Sequence, residues 1–124
     1  MLTRIIILCC LFSVFGQVSS RTACFVVTGQ LQCNSEPEKH MDVELHLMDD
    51  DGTLNPDDTM GWTTSDEDGR FKIEGCGYDF LSKPDPYLRI WHHCRSKKGI
   101  IKKYRLFSVK YAPGTIVAGV IRLD

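Results

Sequence analysis

The sequence predicts an all-β protein, an antiparallel β-sandwich of about seven or eight strands. Three observations lead there. Apolar and polar residues alternate with period two in run after run. Helical spacing of apolar residues is hard to find anywhere after residue 20. Short polar segments rich in Asp, Gly and Pro separate the runs, as turns separate strands in a sandwich.

The first run is CFVVTGQLQC (24–33), with Phe25, Val27, Gly29, Leu31 and Cys33 on one face and Cys24, Val26, Thr28, Gln30 and Gln32 on the other. In MDVELHLM (41–48), Met41, Val43, Leu45 and Leu47 point inward, and Asp42, Glu44 and His46 point outward. A strand around MGWTTS (60–65) precedes DEDG (66–69), whose Gly69 can take a positive φ and close a hairpin. RFKIEG (70–75) turns Phe71 and Ile73 inward. YLRIWHHC (87–94) places Leu88, Ile90, His92 and Cys94 on one face, with Tyr87, Arg89, Trp91 and His93 on the other. YRLFSVKY (104–111) and TIVAGVIRL (115–123) complete the set, and 49–58 and 78–86 read as loops broken by Pro56, Pro84 and Pro86.

Residues 1–20 read as a secretory signal peptide. Arg4 supplies the positive charge, Ile5 to Gly16 the apolar run, and Val18 and Ser20 the small-residue positions before cleavage. The apolar run has 12 residues, whereas a bilayer span needs about 20. No transmembrane segment is expected. The mature domain is then 21–124, secreted and extracellular.

Cys9 and Cys10 leave with the signal, and Cys24, Cys33, Cys76 and Cys94 remain. An even count in a small secreted domain reads as two disulfides. Strand parity puts Cys33 and Cys94 on inward faces, and Cys24 and Cys76 on outward ones if the strand through Ile73 continues to Cys76. Side chains on opposite faces cannot meet a bridge's geometric limits. Of three connectivities, Cys33–Cys94 with Cys24–Cys76 is the consistent one.

Charge is divided along the mature chain. Residues 21–86 carry a net charge of −10 and residues 87–124 one of +8. Such an asymmetry steers charged partners, or it is neutralised within the fold if the two kinds of element lie side by side.

Several segments occur in an order that resembles a known family. VTGQLQC (27–33), VELHLMDDD (43–51), SDEDGRFKIEG (65–75) and PYLRIWHHC (86–94) are similar to the nematode transthyretin-like family of secreted proteins, and the match spans nearly all of the mature chain. The resemblance implies a prealbumin-like sandwich. It also implies an extracellular protein that binds or bridges ligands, anionic lipid among them. The Tyr-Arg-Gly-Ser tail of the related hydroxyisourate hydrolases is absent, since the chain ends GVIRLD. No residue-level match carries over the hormone site of transthyretin.

His92 and His93 are adjacent on a strand, so they point to opposite faces and cannot chelate one ion together. His92 reads as a core histidine bonded to backbone, and His93 as a surface residue. A cysteine in a disulfide is no nucleophile. No motif indicates a catalytic residue, a metal site or a cofactor, and the protein is expected not to be an enzyme. The acidic stretch of Asp49, Asp50, Asp51, Asp57 and Asp58 reads as a solvated loop. With Gly52 at the sixth position of an EF-hand loop, Leu47 falls at the first.

RSKKGIIKKYR (95–105) is the leading binding candidate. Arg95, Lys97, Lys98, Lys102, Lys103 and Arg105 would attract an anionic lipid or a sulfated glycan, with Ile100 and Ile101 at a loop tip. Lysines guarding an exposed edge strand explain the same pattern, and both readings stand. Tyr87, Trp91, Trp62 and Tyr104 are candidates for an aromatic contact surface. The expected function is a secreted binding or bridging domain for an extracellular ligand, be it anionic lipid, glycan or surface protein. The alternative is a carrier of a small apolar molecule, and a secreted hydrolase ranks last. The secretory route disfavours nucleic acid. Oligomeric state is not legible.

Overall fold

A computed structural model describes residues 21–50, 52, 56–79, 85–106, 111–112 and 115–124. Among the described residues eight strands follow one another: β1 (Arg21–Gln32), β2 (Glu44–Asp49), β3 (Asp58–Thr64), β4 (Arg70–Asp79), β5 (Pro86–His92), β6 (Ile100–Arg105), β7 (Tyr111–Ala112) and β8 (Thr115–Arg122). One 3-10 turn, Pro37–His40, lies between β1 and β2. The signal-peptide reading falls on residues 1–20, outside the described residues.

The strands form two four-stranded sheets, ordered β4-β1-β8-β7 and β3-β2-β5-β6. The fold class is the predicted sandwich. Every described pair is antiparallel except β1 with β8, which run parallel. Local alternation encodes which face a side chain takes and not which strand lies beside it, so this pair is invisible in the sequence.

The inward residues build the core as the alternation requires. Val27, Leu31, Leu45, Leu47, Ile73, Leu88, Ile90, Ile116 and Ile121 are each 1% exposed or less. Their branched side chains suit a pleated, buried surface.

Several details differ from the sequence reading. Met41 is 42% exposed, because the chain turns at Asp42 (φ 55°) and β2 begins only at Glu44. Tyr87 was expected to face outward and is 5% exposed, since Lys103 and Arg105 cover it. The segment expected as a loop over 78–86 opens with the last two residues of β4. The strand expected over 104–111 overlaps the end of β6 and the start of β7, with 107–110 outside the described residues.

The turn at 66–69 forms with Gly69 at φ 78°, and Asp66 Oδ1 accepts the Asp68 and Arg70 amides at 2.9 Å each. It does not close a hairpin. β3 belongs to one sheet and β4 to the other, so the turn carries the chain across the sandwich. The two strands meet edge to edge through Gly61 and Gly75. A side chain at Gly61 would strike the Glu74 carbonyl, and one at Gly75 the Met60 carbonyl. Glycine at both positions lets the backbones seal this side of the molecule.

Candidate ligand-binding site

Among the described residues two disulfides are present, Cys24–Cys76 and Cys33–Cys94. Cys33 follows β1 in one sheet and Cys94 follows β5 in the other, so their bridge spans the core, with Cα atoms 5.8 Å apart. Because the two cysteines are joined, the loops that leave them run side by side. Ser35 Oγ lies 3.7 Å from Cys33 Sγ and 3.9 Å from Cys94 Sγ. Glu36 Oε1 accepts the Arg95 amide at 3.2 Å. The Asp124 carboxylate accepts the Asn34 and Ser35 amides at 3.1 and 2.9 Å, which ties the end of β8 to the same loop.

The second loop folds back over its own strand. Arg95 adopts φ 59°, a left-handed backbone that few side chains favour, and Gly99 adopts φ 90°. A side chain at Gly99 would hit Trp91 Nε1, whose ring also lies 5.5 Å from that of His93. Between the two loops opens a cleft of about 600 Å³. Ser35 and Glu36 form one wall, Lys39 of the 3-10 turn stands at the side, and His93, Arg95, Ser96 and Lys97 form the other wall. Lys39 and His93 are shared with a second cleft of about 380 Å³ that extends to Met41 and Trp91. Three permanent cations and a histidine face one carboxylate here. That carboxylate already accepts a backbone amide.

His92 lies beneath this surface, 1% exposed, and its Nδ1 accepts the Cys94 amide at 3.1 Å. It is the backbone-bonded core histidine expected. Burial pushes its pKa below the ordinary value, and the nearby Lys102 and His93 add to the shift. His93 is exposed, as expected, and faces both clefts. Cys33, Cys94 and Asp124 bring three donor-type atoms within 4.8 Å of one another, but both sulfurs are committed to the S–S bond.

The six basic candidates do not form one patch. Arg95 and Lys97 line the larger cleft, and Lys98 is exposed in the same hairpin. Lys102 Nζ donates to the Arg122 carbonyl at 2.7 Å, fastening β6 to β8. Arg105 Nη1 lies 2.7 Å from Asp50 Oδ2 and 3.8 Å from Asp85 Oδ2, and Lys103 Nζ lies 3.7 Å from Asp50. The Arg105 hydrogen bond, followed by the Gly52 amide, holds the Asp50 carboxyl below the usual range. The same hydrogen bond to Asp50 raises Arg105 above its ordinary value. Lys103 sits over the Tyr87 ring, 4.1 Å from its centroid. These two cations pair with Asp50 and Asp85, so part of the charge asymmetry is met within the chain. Ile100 and Ile101 are not at a loop tip. The turn closes at Gly99, so both open β6, 46% and 66% exposed.

The acidic stretch is not wholly the solvated loop expected: Asp49 closes β2, Asp58 opens β3, and the carboxylates of Asp49, Asp50 and Asp57 are engaged. Asp49, 1% exposed, accepts the Asp85 amide at 2.9 Å, and Asp57 accepts the Tyr87 hydroxyl. Burial, then that bond to Asp57, pushes the Tyr87 phenol up to about 12. Asp51 is outside the described residues. Among the aromatic candidates, Trp62 and Trp91 are exposed, at 66% and 48%, and Tyr104 packs against the core.

Sequence reasoning missed Ser35, Glu36, Lys39 and Ser96. A signal was available. Once Cys33 and Cys94 are paired, Ser35 and Ser96 each lie two residues beyond a bridged cysteine, and both line the cleft.

Sheets, crosslinks and cleft together define a disulfide-braced β-sandwich of the prealbumin type. A family model described as the Transthyretin-like family matches residues 28–110. The chain belongs to that family, and membership points to a binding- or carrier-type domain. Transthyretin-like protein 5 of Caenorhabditis elegans is 33% identical over 116 residues, covering 94% of this chain and 80% of the relative. Transthyretin-like protein 1 of the same organism is 33% identical over 89 residues, 67% of this chain and 54% of the relative. Transthyretin-like protein 46 is 28% identical, covering 84% of this chain and 62% of its own length. Among solved structures, a 9R-lipoxygenase from Cyanothece aligns with TM-score 0.50 and 23% identity over 81% of this chain and 16% of the enzyme. That likeness concerns the fold alone. Among the described residues no helix is long and apolar enough to cross a membrane.

Proposed function

We propose that residues 1–20 direct secretion and that residues 21–124 form a non-enzymatic binding domain. Its target is an anionic group, phosphate or sulfate, displayed on an extracellular lipid or glycan. The reading rests on one observation above all: the cleft beside Cys33–Cys94 gathers Lys39, His93, Arg95 and Lys97 around about 600 Å³. The bridge fixes both walls, so a ligand meets cations already in position and little ordering cost is left to binding. A lining of serines and charged side chains suits a charged group better than the apolar cargo of a carrier.

Binding to immobilised heparin and to vesicles containing phosphatidylserine tests the proposal and separates its two sources. Affinity for one of them should fall steeply with salt. Near an anionic membrane each basic residue contributes about 1 kcal/mol, so Lys39→Gln with Lys97→Gln should weaken binding roughly 30-fold. Equal binding by the double variant would remove the cleft from the account.

A further inference from the structure

The two disulfides sit in opposite surroundings. Cys33 and Cys94 are each 1% exposed and belong to the core. Cys24 and Cys76 are both exposed, on the outer face of the sheet containing β1 and β4. They are direct partners in the β1–β4 register. Their Cα atoms lie 4.0 Å apart, closer than the roughly 4.4–6.8 Å that bridged residues usually keep. Among the described residues β8 pairs with β1 only from Val26 onward, so at Cys24 the ladder has β4 on one flank and no strand on the other. On the same face the flanking register pairs are Val26 with Glu74 and Thr22 with Tyr78.

Thiol–disulfide exchange requires a thiolate to reach one sulfur of the bond, and exposed bridges are the labile ones. We propose that Cys24–Cys76 is a thiol-exchange site, where an external thiol attaches reversibly, and that Cys33–Cys94 is the permanent crosslink. In the first step a thiolate attacks one Sγ and the protein S–S bond breaks. A mixed disulfide forms, and the other Sγ leaves as a thiolate and takes up a proton. In the second step another molecule of the same thiol attacks the adduct and departs with it as a symmetric disulfide. Two external thiols have then supplied two electrons, and both cysteines are reduced.

The ladder continues on either side through Ala23 with Gly77 and Phe25 with Gly75, so the opened cysteines stay opposed and the bond can close again. The site is independent of the proposed cleft. Cys24 and Cys33 are nine residues apart on one extended strand, about 30 Å.

The test uses the folded domain, residues 21–124, incubated with rising concentrations of reduced glutathione. Iodoacetamide quenches the mixture, and peptide mass mapping locates labels and adducts. Cys24 and Cys76 should react at a glutathione concentration about tenfold or more below that needed for Cys33 and Cys94, with near-UV circular dichroism unchanged. The proposal is overturned if Cys33–Cys94 opens first or together with the other bridge. It is equally overturned if no cysteine reacts until the dichroism is lost. In a Cys24→Ser/Cys76→Ser variant that keeps the native dichroism, the adduct should vanish, and its persistence would also count against the site.

Discussion

Asp124 and His92 each tie a loop to the sandwich, and each gives stability a sign with pH. The Ser35 amide, then that of Asn34, holds the Asp124 carboxyl down to about 2, below its ordinary 3.8. A depressed acid contributes stability that is fully present above the unfolded value and is lost as pH falls through the folded one. Asp124→Asn should therefore remove part of the loss of stability between about pH 4 and pH 2, read from urea melts across that range. His92 is also depressed, and it is a base. Between its folded value and 6.5 the unfolded chain binds a proton that the folded chain refuses. Stability should therefore fall as pH drops below 6.5. His92→Asn keeps an acceptor for the Cys94 amide and cannot titrate, so its thermal midpoint should vary less between pH 7 and pH 5 than that of the parent. An unchanged slope would show that another group carries the dependence.

At the scale of elements, alternation was a reliable guide to faces and a poor one to neighbours. Val27, Leu45, Ile73, Leu88 and Ile90 are buried because a period of two leaves one face for the core. Tyr87 escaped the rule because Lys103 and Arg105 come from β6, a strand whose place beside β5 is set by the register and not by local pattern. The β3–β4 join was misjudged for a similar reason. A tight turn with a left-handed glycine looks the same whether its strands pair or part into two sheets. What marks the parting is the pair Gly61 and Gly75, where backbone meets backbone. Gly75→Ala should force that seam apart and cost about 1–3 kcal/mol, the usual range for overpacking. For a domain of this size that lowers the thermal midpoint by roughly 4 °C or more, measurable by calorimetry. Ala introduced at exposed Gly52 is the wrong control, since φ there is 81°. Lys98→Ala is the better one and should leave the midpoint nearly unchanged.

For the molecule as a whole, the four cysteines made the sequence legible. Parity selected two pairs, and the structure holds the same two, one inside and one outside. The candidate cleft was half legible. Arg95 and Lys97 stood out as charges, whereas Lys39 and Ser35 arrive only through the crosslink that folds their loop against them. Removing that crosslink with Cys33→Ala and Cys94→Ala should cost roughly 4 kcal/mol, the loop-closure value for a separation of 61 residues. Denaturant melts would measure the cost, and the salt-dependent binding proposed for the cleft should weaken with it. The same bond has a mechanical consequence. Tension applied at residues 21 and 124 passes from Cys33 straight to Cys94, and the 61-residue interval between them stays slack however hard the ends are pulled. A tethered molecule would lengthen by well under half of what its backbone permits, and the walls of the cleft would be drawn along together without being torn from each other.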